Sequence, residues 1–329
     1  MASLLSGVAF GAAMAAAGFH NPAIIKDQLT FNNWHMLQVF LAATATSAFI
    51  YAAAEKLGCV RLPPRTSSPL GIVSAYDGNI LGGALLGAGM AMSGSCPGTL
   101  FAQVGAGVKT GFSALEGAIV GGVMWAGFLE NSIAKRRERT GAVAKADVIH
   151  DQVGVSRTTM LLLVEAACFV VIASTMMLTP PSRIVSFSGP VGGLLIGLAQ
   201  LVSLATRRSL VGVSSAYQEM GDCFCRLARS TRCNAIKPGS YRGILFAAGI
   251  AGGAWVFLRL VPDADTSPLP HVSPTMATAG GVLMAIGSRM AGGCTSGHGI
   301  SGISLLSVSS MVSIASMFVS AAVAVRLVD

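Results

Sequence analysis

The sequence predicts an all-α polytopic membrane protein. It has about nine transmembrane helices, further short helices that break or re-enter, and an inverted-topology internal repeat. Three observations lead there. The chain is 53% hydrophobic and 11% charged, with a mean hydropathy of +0.67. A soluble domain carries about 25% charged residues, so this chain could not cover a water-facing surface. Residues 1–25, 28–54, 78–108, 184–206 and 290–325 contain no Asp, Glu, Lys or Arg. A bilayer span needs about 20 mostly apolar residues, and its backbone must pair internally, which selects helices. Finally, residues 81–99 and 279–297 repeat one another without gaps.

Nine apolar segments follow in order: 4–19, 34–54, 71–95, 112–130, 158–179, 190–206, 241–261, 275–294 and 303–328. Segments 4–19, 71–95 and 275–294 are short or interrupted by glycine, which marks them as half-helices or re-entrant elements. The chain holds 40 glycines. In a membrane bundle such small residues let helices approach closely.

The net charge is +8. The cations fall in short loops between apolar segments, so they read as sidedness signals and not as a nucleic-acid surface. Loop 131–157 holds Lys135, Arg136, Arg137, Arg139, Lys145 and Arg157. Loop 207–240 holds Arg207, Arg208, Arg226, Arg229, Arg232 and Lys237, and loop 55–70 holds Lys56, Arg61 and Arg65. Loop 262–274 carries Asp263 and Asp265 without Lys or Arg. Placing the basic loops in the cytoplasm gives nine crossings and an inner N-terminus, in a plasma (inner) membrane.

The repeat pairs Gly82 with Gly280, Gly83 with Gly281, Gly89 with Gly287, Met92 with Met290 and Cys96 with Cys294. A looser match joins Gly7-x-x-x-Gly11 to Gly193-x-x-x-Gly197. With nine crossings the matched segments run in opposite directions. The predicted organisation is one membrane domain: residues 1–130 as a first half, 131–189 as a basic loop and linking span, and 190–329 as a second half. Inverted repeats place a transport site near the midplane at their interface.

Each half carries a cysteine motif in apolar surroundings. In Ser93-Gly94-Ser95-Cys96-Pro97-Gly98-Thr99, Pro97 lacks a backbone donor and disfavours helical geometry at Cys96. In Gly292-Gly293-Cys294-Thr295-Ser296-Gly297-His298-Gly299, glycines do the same. Both cysteines are therefore expected at helix breaks, tolerated at membrane depth only inside protein or beside a cavity. A break before residue 300 would free N–H groups that attract anions. Ser95, Thr99, Thr295 and Ser296 add hydroxyl donors, and thiols are polarizable partners. The set suits a small sulfur-bearing anion. His298 is a donor or a structural histidine, and Arg289 is an intramembrane cation of the kind that marks function.

The seven cysteines form no even, spaced framework, so no disulfide scaffold is expected. Cys223-x-Cys225 lacks further ligands for a metal site, and no cofactor is implied. No Gly-x-x-x-x-Gly-Lys-Ser/Thr occurs, which argues against ATP-driven transport within the chain.

On the Cys96 motif, and on the run Gly292 to Gly302, the chain resembles the YeeE/YedE family of sulfur-compound transporters. The opening Gly7-Val8-Ala9-Phe10-Gly11 and Gly18-Phe19 are similar to that family's N-terminal element. The resemblance implies uptake of thiosulfate or a related anion past constricted cysteines, which here are Cys96 and Cys294. It implies a non-enzymatic membrane protein. Thiosulfate-importing members have a third cysteine directly after the N-terminal Gly-Phe, where this chain has His20. Imidazole can hydrogen-bond an anion and titrates near neutral pH, but it supplies no thiol. An alternative reading is a membrane sulfur carrier. It would hold a cysteine persulfide, activated by Arg289 or His298, for a cytoplasmic sulfurtransferase-like partner.

Overall fold

A computed structural model describes residues 1–178, 187–227, 241–262, 269–270 and 272–328. Asp263, Asp265, Arg229, Arg232, Lys237 and Cys233 lie outside the described residues.

The described chain is helical, with one isolated bridge between Val148 and Ser307. The helices are α1 (Ala2–Ala16), α2 (Pro22–Leu29), α3 (His35–Lys56), α4 (Asp77–Ser93), α5 (Thr99–Gly105), α6 (Lys109–Met124), α7 (Glu130–Thr140), α8 (Ile149–Val153) and α9 (Arg157–Leu178). They continue as α10 (Gly189–Arg207), α11 (Ser214–Leu227), α12 (Arg242–Leu260), α13 (Pro274–Met290) and α14 (Val308–Val328). π-helical turns occupy Trp125–Leu129, which joins α6 to α7, and Ser296–Gly302.

Local chemistry sets the boundaries. Pro22 begins α2 behind an Asn21 cap, whose side chain accepts the Ala23 N–H at 2.9 Å. Gly94 closes α4 at φ +62°, a conformation only glycine adopts without strain. Asp77 opens α4. Its carboxylate accepts the N–H groups of Leu70 at 2.5 Å, Ile72 and Gly78 at 2.8 Å and Val73 at 3.4 Å, so one side chain shapes the preceding turn.

All nine predicted segments are helical. Among the described residues six helices are long and apolar enough to cross a membrane: His35–Lys56, Lys109–Thr140, Arg157–Leu178, Gly189–Arg207, Arg242–Leu260 and Val308–Leu327. The other three predicted segments are α1, α4 and α13, of 15, 17 and 17 residues. At about 1.5 Å per residue they fall short of a hydrocarbon core about 30 Å thick. Helices also occupy stretches expected as loops. Within 207–240, α11 buries Ala216, Tyr217, Gly221 and Cys225. Within 131–157 lie α8 and all of α7 but its first residue, Glu130.

Glycine governs packing. A Cβ on Gly7 or Gly11 of α1 would run into the carbonyls of Phe246 and Ile250 on α12. In the same way Gly193 of α10 abuts Val39 and Ala42 of α3. Gly87 of α4 lies on Met317 of α14, and Gly281 of α13 lies on Ala114 of α6. Between α4 and α13, Gly82 meets Gly287 and Gly89 meets Gly280, so the two helices run antiparallel. Serine hydroxyls lace the same seams, Ser316 donating to the Ile80 carbonyl at 2.6 Å and Ser320 to that of Ala84 at 2.7 Å.

Helix α9 stands apart. Only Met160 and Cys168 of it are buried, and Leu162, Phe169, Val170 and Met177 are exposed. It touches α3, where Gln38 donates to Thr175 at 3.3 Å. Such a surface suits lipid and not water.

Candidate functional site

Both cysteine motifs lie where helices stop. After Gly94 the chain turns through Ser95, Cys96 and Pro97 and re-enters helix at Thr99. The Cys96 N–H donates to Thr99 Oγ1 at 2.6 Å, and the Thr99 hydroxyl donates to the Cys96 carbonyl at 3.1 Å. The Thr99 N–H donates to Cys96 Sγ at 3.4 Å. Thr99 therefore holds the cysteine from both sides. Ser95 donates to Gln103 Oε1 at 2.5 Å, and Gln103 Nε2 returns to the Gly94 carbonyl at 3.0 Å. A glutamine on α5 thus ties the turn shut.

The second break falls at residues 291–294, before residue 300 as expected, and the chain resumes through Thr295 into a π turn at Ser296. Gly292 has φ +80°. Cys294 Sγ accepts the Val213 N–H at 3.5 Å and lies 3.3 Å from Ser296 Oγ. Thr295 donates to Met90 Sδ at 3.7 Å. His298 uses both ring nitrogens. Nε2 lies 3.2 Å from the Ala291 carbonyl and must donate to it, which leaves Nδ1 to accept from Ser310 Oγ at 3.0 Å. His298 thereby braces the motif.

The two motifs share one narrow cavity. Cys96, Gly98 and Thr99 of the first motif and Thr295, Ser296 and Ile300 of the second line it, whereas Cys294 itself is not in its wall. Phe10, Met14, Phe19, Met36, Val39, Phe40 and Ile196 complete the wall. Its volume is about 20 Å³, room for about one water molecule. Cys96 is 6% exposed and Cys294 fully buried. The buried Tyr217 hydroxyl donates to the Pro97 carbonyl at 3.0 Å.

The remaining sequence candidates lie elsewhere. His20 is 2% exposed, but its neighbour Phe19 faces the cavity. Ser95 serves the turn. Arg289 lines a second, wider cavity of about 570 Å³ with Arg65, Arg137, Ser68, Trp125 and Glu130. Its Nη2 donates to Gln218 Oε1, and Gln218 Nε2 donates to both Glu130 carboxylate oxygens at 3.0 and 3.1 Å. Among the described residues no cluster of three or more His, Cys, Asp or Glu could hold a metal. Cys225 is disulfide-bonded.

Sequence reasoning missed Thr99's grip on the backbone, Gln103, Tyr217 and Arg65. Arg65 looked like one topogenic cation among many, yet it packs against the glycines of the second motif. Only the paired prolines before it, Pro63 and Pro64, set it apart.

The fold and site define a multi-pass membrane protein with two buried cysteine turns at helix breaks. Residues 16–323 match the family described as "Sulphur transport", and the chain belongs to that family. The thiosulfate transporter TsuA of Spirochaeta thermophila is 25% identical over 324 residues, covering 93% of this chain and 92% of that one. A probable transporter of Xylella fastidiosa (strain 9a5c) is 29% identical over 130 residues, which is 39% of this chain and 84% of that protein. Its counterpart in strain Temecula1 is 28% identical over 130 residues.

Proposed function

We propose that this protein imports a small sulfur-containing anion of the thiosulfate class, passing it between the Cys96 and Cys294 motifs. The observation that carries this reading is the single narrow cavity lined by both motifs. The Cys96 thiol and the hydroxyl residues Thr99, Thr295 and Ser296 line it together with aromatic and thioether side chains, and Cys294 is the neighbour of Thr295 without itself standing in the wall. Sulfur-compound transport is the family's function, and a relative of matching length is named a thiosulfate transporter.

The two halves, 1–130 and 190–329, are inverted repeats joined through the linking span. Supporting this, α4 and α13 carry the matched glycines and run antiparallel, with Gly82 on Gly287 and Gly89 on Gly280. Contacts also come in matched sets. α1 packs on α12 as α10 packs on α3, and α4 packs on α14 as α13 packs on α6. The basic loops face the cytoplasm across a plasma membrane. Segment 18–22 leans on the first motif through Pro22 against Gly94, and segment 211–213 leans on the second through Val213. His20 occupies the first of these two segments and tunes which anion is accepted.

Uptake of ³⁵S-thiosulfate into proteoliposomes tests the reading. Cys96→Ala and Cys294→Ala are each expected to reduce uptake at least tenfold while the protein stays monodisperse. Uptake at the wild-type rate in both variants would refute it.

A further inference from the structure

The wide cavity beside Arg65 has features of a binding site in its own right. Arg65, Arg137 and Arg289 all line it, with Glu130 the one acid in its wall. Glu130 is engaged by Gln218. Glu130 acts on Arg289, as do Asp222 and Glu219 from outside the wall, and Glu219 already accepts the Gly243 and Ile244 N–H groups at 3.0 and 2.9 Å. Arg65 has no carboxylate partner among the described residues. Three donors of the lining residues are buried without an acceptor among the described residues: Arg65 Nε, Arg289 Nε and Trp125 Nε1. Buried donors are almost always satisfied, and three sharing one wall point to an acceptor that the protein does not itself supply.

Arg65 also joins this cavity to the second cysteine motif. A Cβ on Gly293 would stand 3.0 Å from Arg65 Nη1, one on Gly297 3.0 Å from Nη2, and one on Gly302 3.2 Å from Cδ. Three of the motif's glycines therefore clear the space the Arg65 side chain occupies. Its backbone is pinned by Ser307, which accepts the Arg65 N–H at 2.6 Å, and by Ser309, which donates to the Arg65 carbonyl at 2.9 Å. Its Nη1 reaches the Gly292 carbonyl at 3.4 Å. Arg137 is held toward the same wall by Pro69 and Ser68, at 2.5 and 3.0 Å.

We infer that this cavity is a second anion station, in which Arg65, Arg137, Arg289 and Trp125 bind a small tetrahedral oxyanion between the Cys294 motif and the basic-loop face. Guanidinium groups suit such oxyanions through paired N–H donors. The volume of about 570 Å³ accommodates the anion with water. In the import reading, on which only the identity of the anion rests, this is the station that receives the anion after Cys294. Arg65 and Arg137, neither paired with a carboxylate among the described residues, draw the anion toward this cavity.

Binding is read without transport, by isothermal titration of purified protein in nanodiscs with sodium thiosulfate and, separately, sodium sulfate. Wild type is expected to bind both, with affinity falling as ionic strength rises. Arg65→Gln and Arg137→Gln should each weaken binding at least tenfold, whereas Arg65→Lys, which keeps the charge, should weaken it less. Cys59→Ser, an exposed position outside both cavities, should bind as wild type. No titratable binding by wild type, or binding that survives Arg65→Gln and Arg137→Gln in monodisperse protein, would overturn the assignment. Should Arg65→Gln fail to fold, Arg137→Gln decides. Cysteine variants that transport normally would sink the import mechanism and leave this site standing.

Discussion

Thr99→Val isolates the part of the first motif that is geometry and not chemistry. Valine nearly matches threonine in shape but has no hydroxyl. It removes the acceptor of the Cys96 N–H, at 2.6 Å, and the donor to the Cys96 carbonyl, at 3.1 Å. Thr99 is 2% exposed and Cys96 is buried, so water does not readily replace either bond. Leaving a buried N–H unsatisfied costs about 1–3 kcal/mol. If that cost falls on holding Cys96 in the constriction, uptake drops about 5- to 150-fold. The thiol itself is untouched. ³⁵S-thiosulfate uptake in proteoliposomes and thermal unfolding in detergent read the two halves of the effect. Thr99→Ser, which keeps the hydroxyl, should remain within about threefold of wild type, as a swap that preserves the hydrogen-bonding group. Uptake and melting temperature of Thr99→Val both indistinguishable from wild type would show that the Cys96 turn holds itself, and the argument would fail.

Three further outcomes are expected. Gly11→Ala forces a methyl into the Ile250 carbonyl, and overpacking of this kind costs about 1–3 kcal/mol, seen as a lower melting temperature in detergent. Asp77→Asn weakens the carboxylate that accepts four N–H groups around residues 70–78. Charge-assisted bonds contribute about 1.5–3 kcal/mol, so limited proteolysis should cut this turn faster in the variant. Phe40→Ala enlarges the cavity of about 20 Å³. It costs about 3–5 kcal/mol of stability but should relax selection, measured as the ratio of selenate or sulfate uptake to thiosulfate uptake. An unchanged ratio would mean Phe40 does not bound the pathway.

The sequence made the fold class and the helix breaks legible because both are one-dimensional signals. An uncharged run states its own span, and Pro97 or Gly292 states its own break. The repeat puts the two cysteine motifs in register, and residues of both, Cys96 and Thr99 from the first and Thr295 and Ser296 from the second, line one cavity. What stayed hidden depends on distant partners. Arg65 carries the same charge as Arg61 and only packing against Gly293, Gly297 and Gly302 distinguishes it. Tyr217 sits in a stretch whose polarity reads as loop. Helix α11 forms there because one narrow face, with Ala216, Tyr217, Gly221 and Cys225, finds the core. His298 was ambiguous until both of its nitrogens had partners.

The same packing constrains how an anion could pass. A cavity of about 20 Å³ is far too small for a multi-atom anion with any water, so something in its wall must move. Helix displacement is the costly route. α1 and α12, like α4 and α13, meet with backbone against backbone at Gly7, Gly11, Gly82 and Gly89, and a slide of either pair would drive carbonyls into Cα atoms. Contacts this close offer no second register nearby. The soft parts of the wall are Phe10, Phe19, Phe40, Met14 and Met36, and methionine in particular adapts at low cost. The hard parts are the Cys96 turn, tied by Thr99 and Gln103, and the Cys294 turn, tied by Val213 and His298. The proposed passage therefore opens by side-chain rotation beside fixed cysteine turns, with rigid motifs selecting the anion and mobile apolar groups timing its movement.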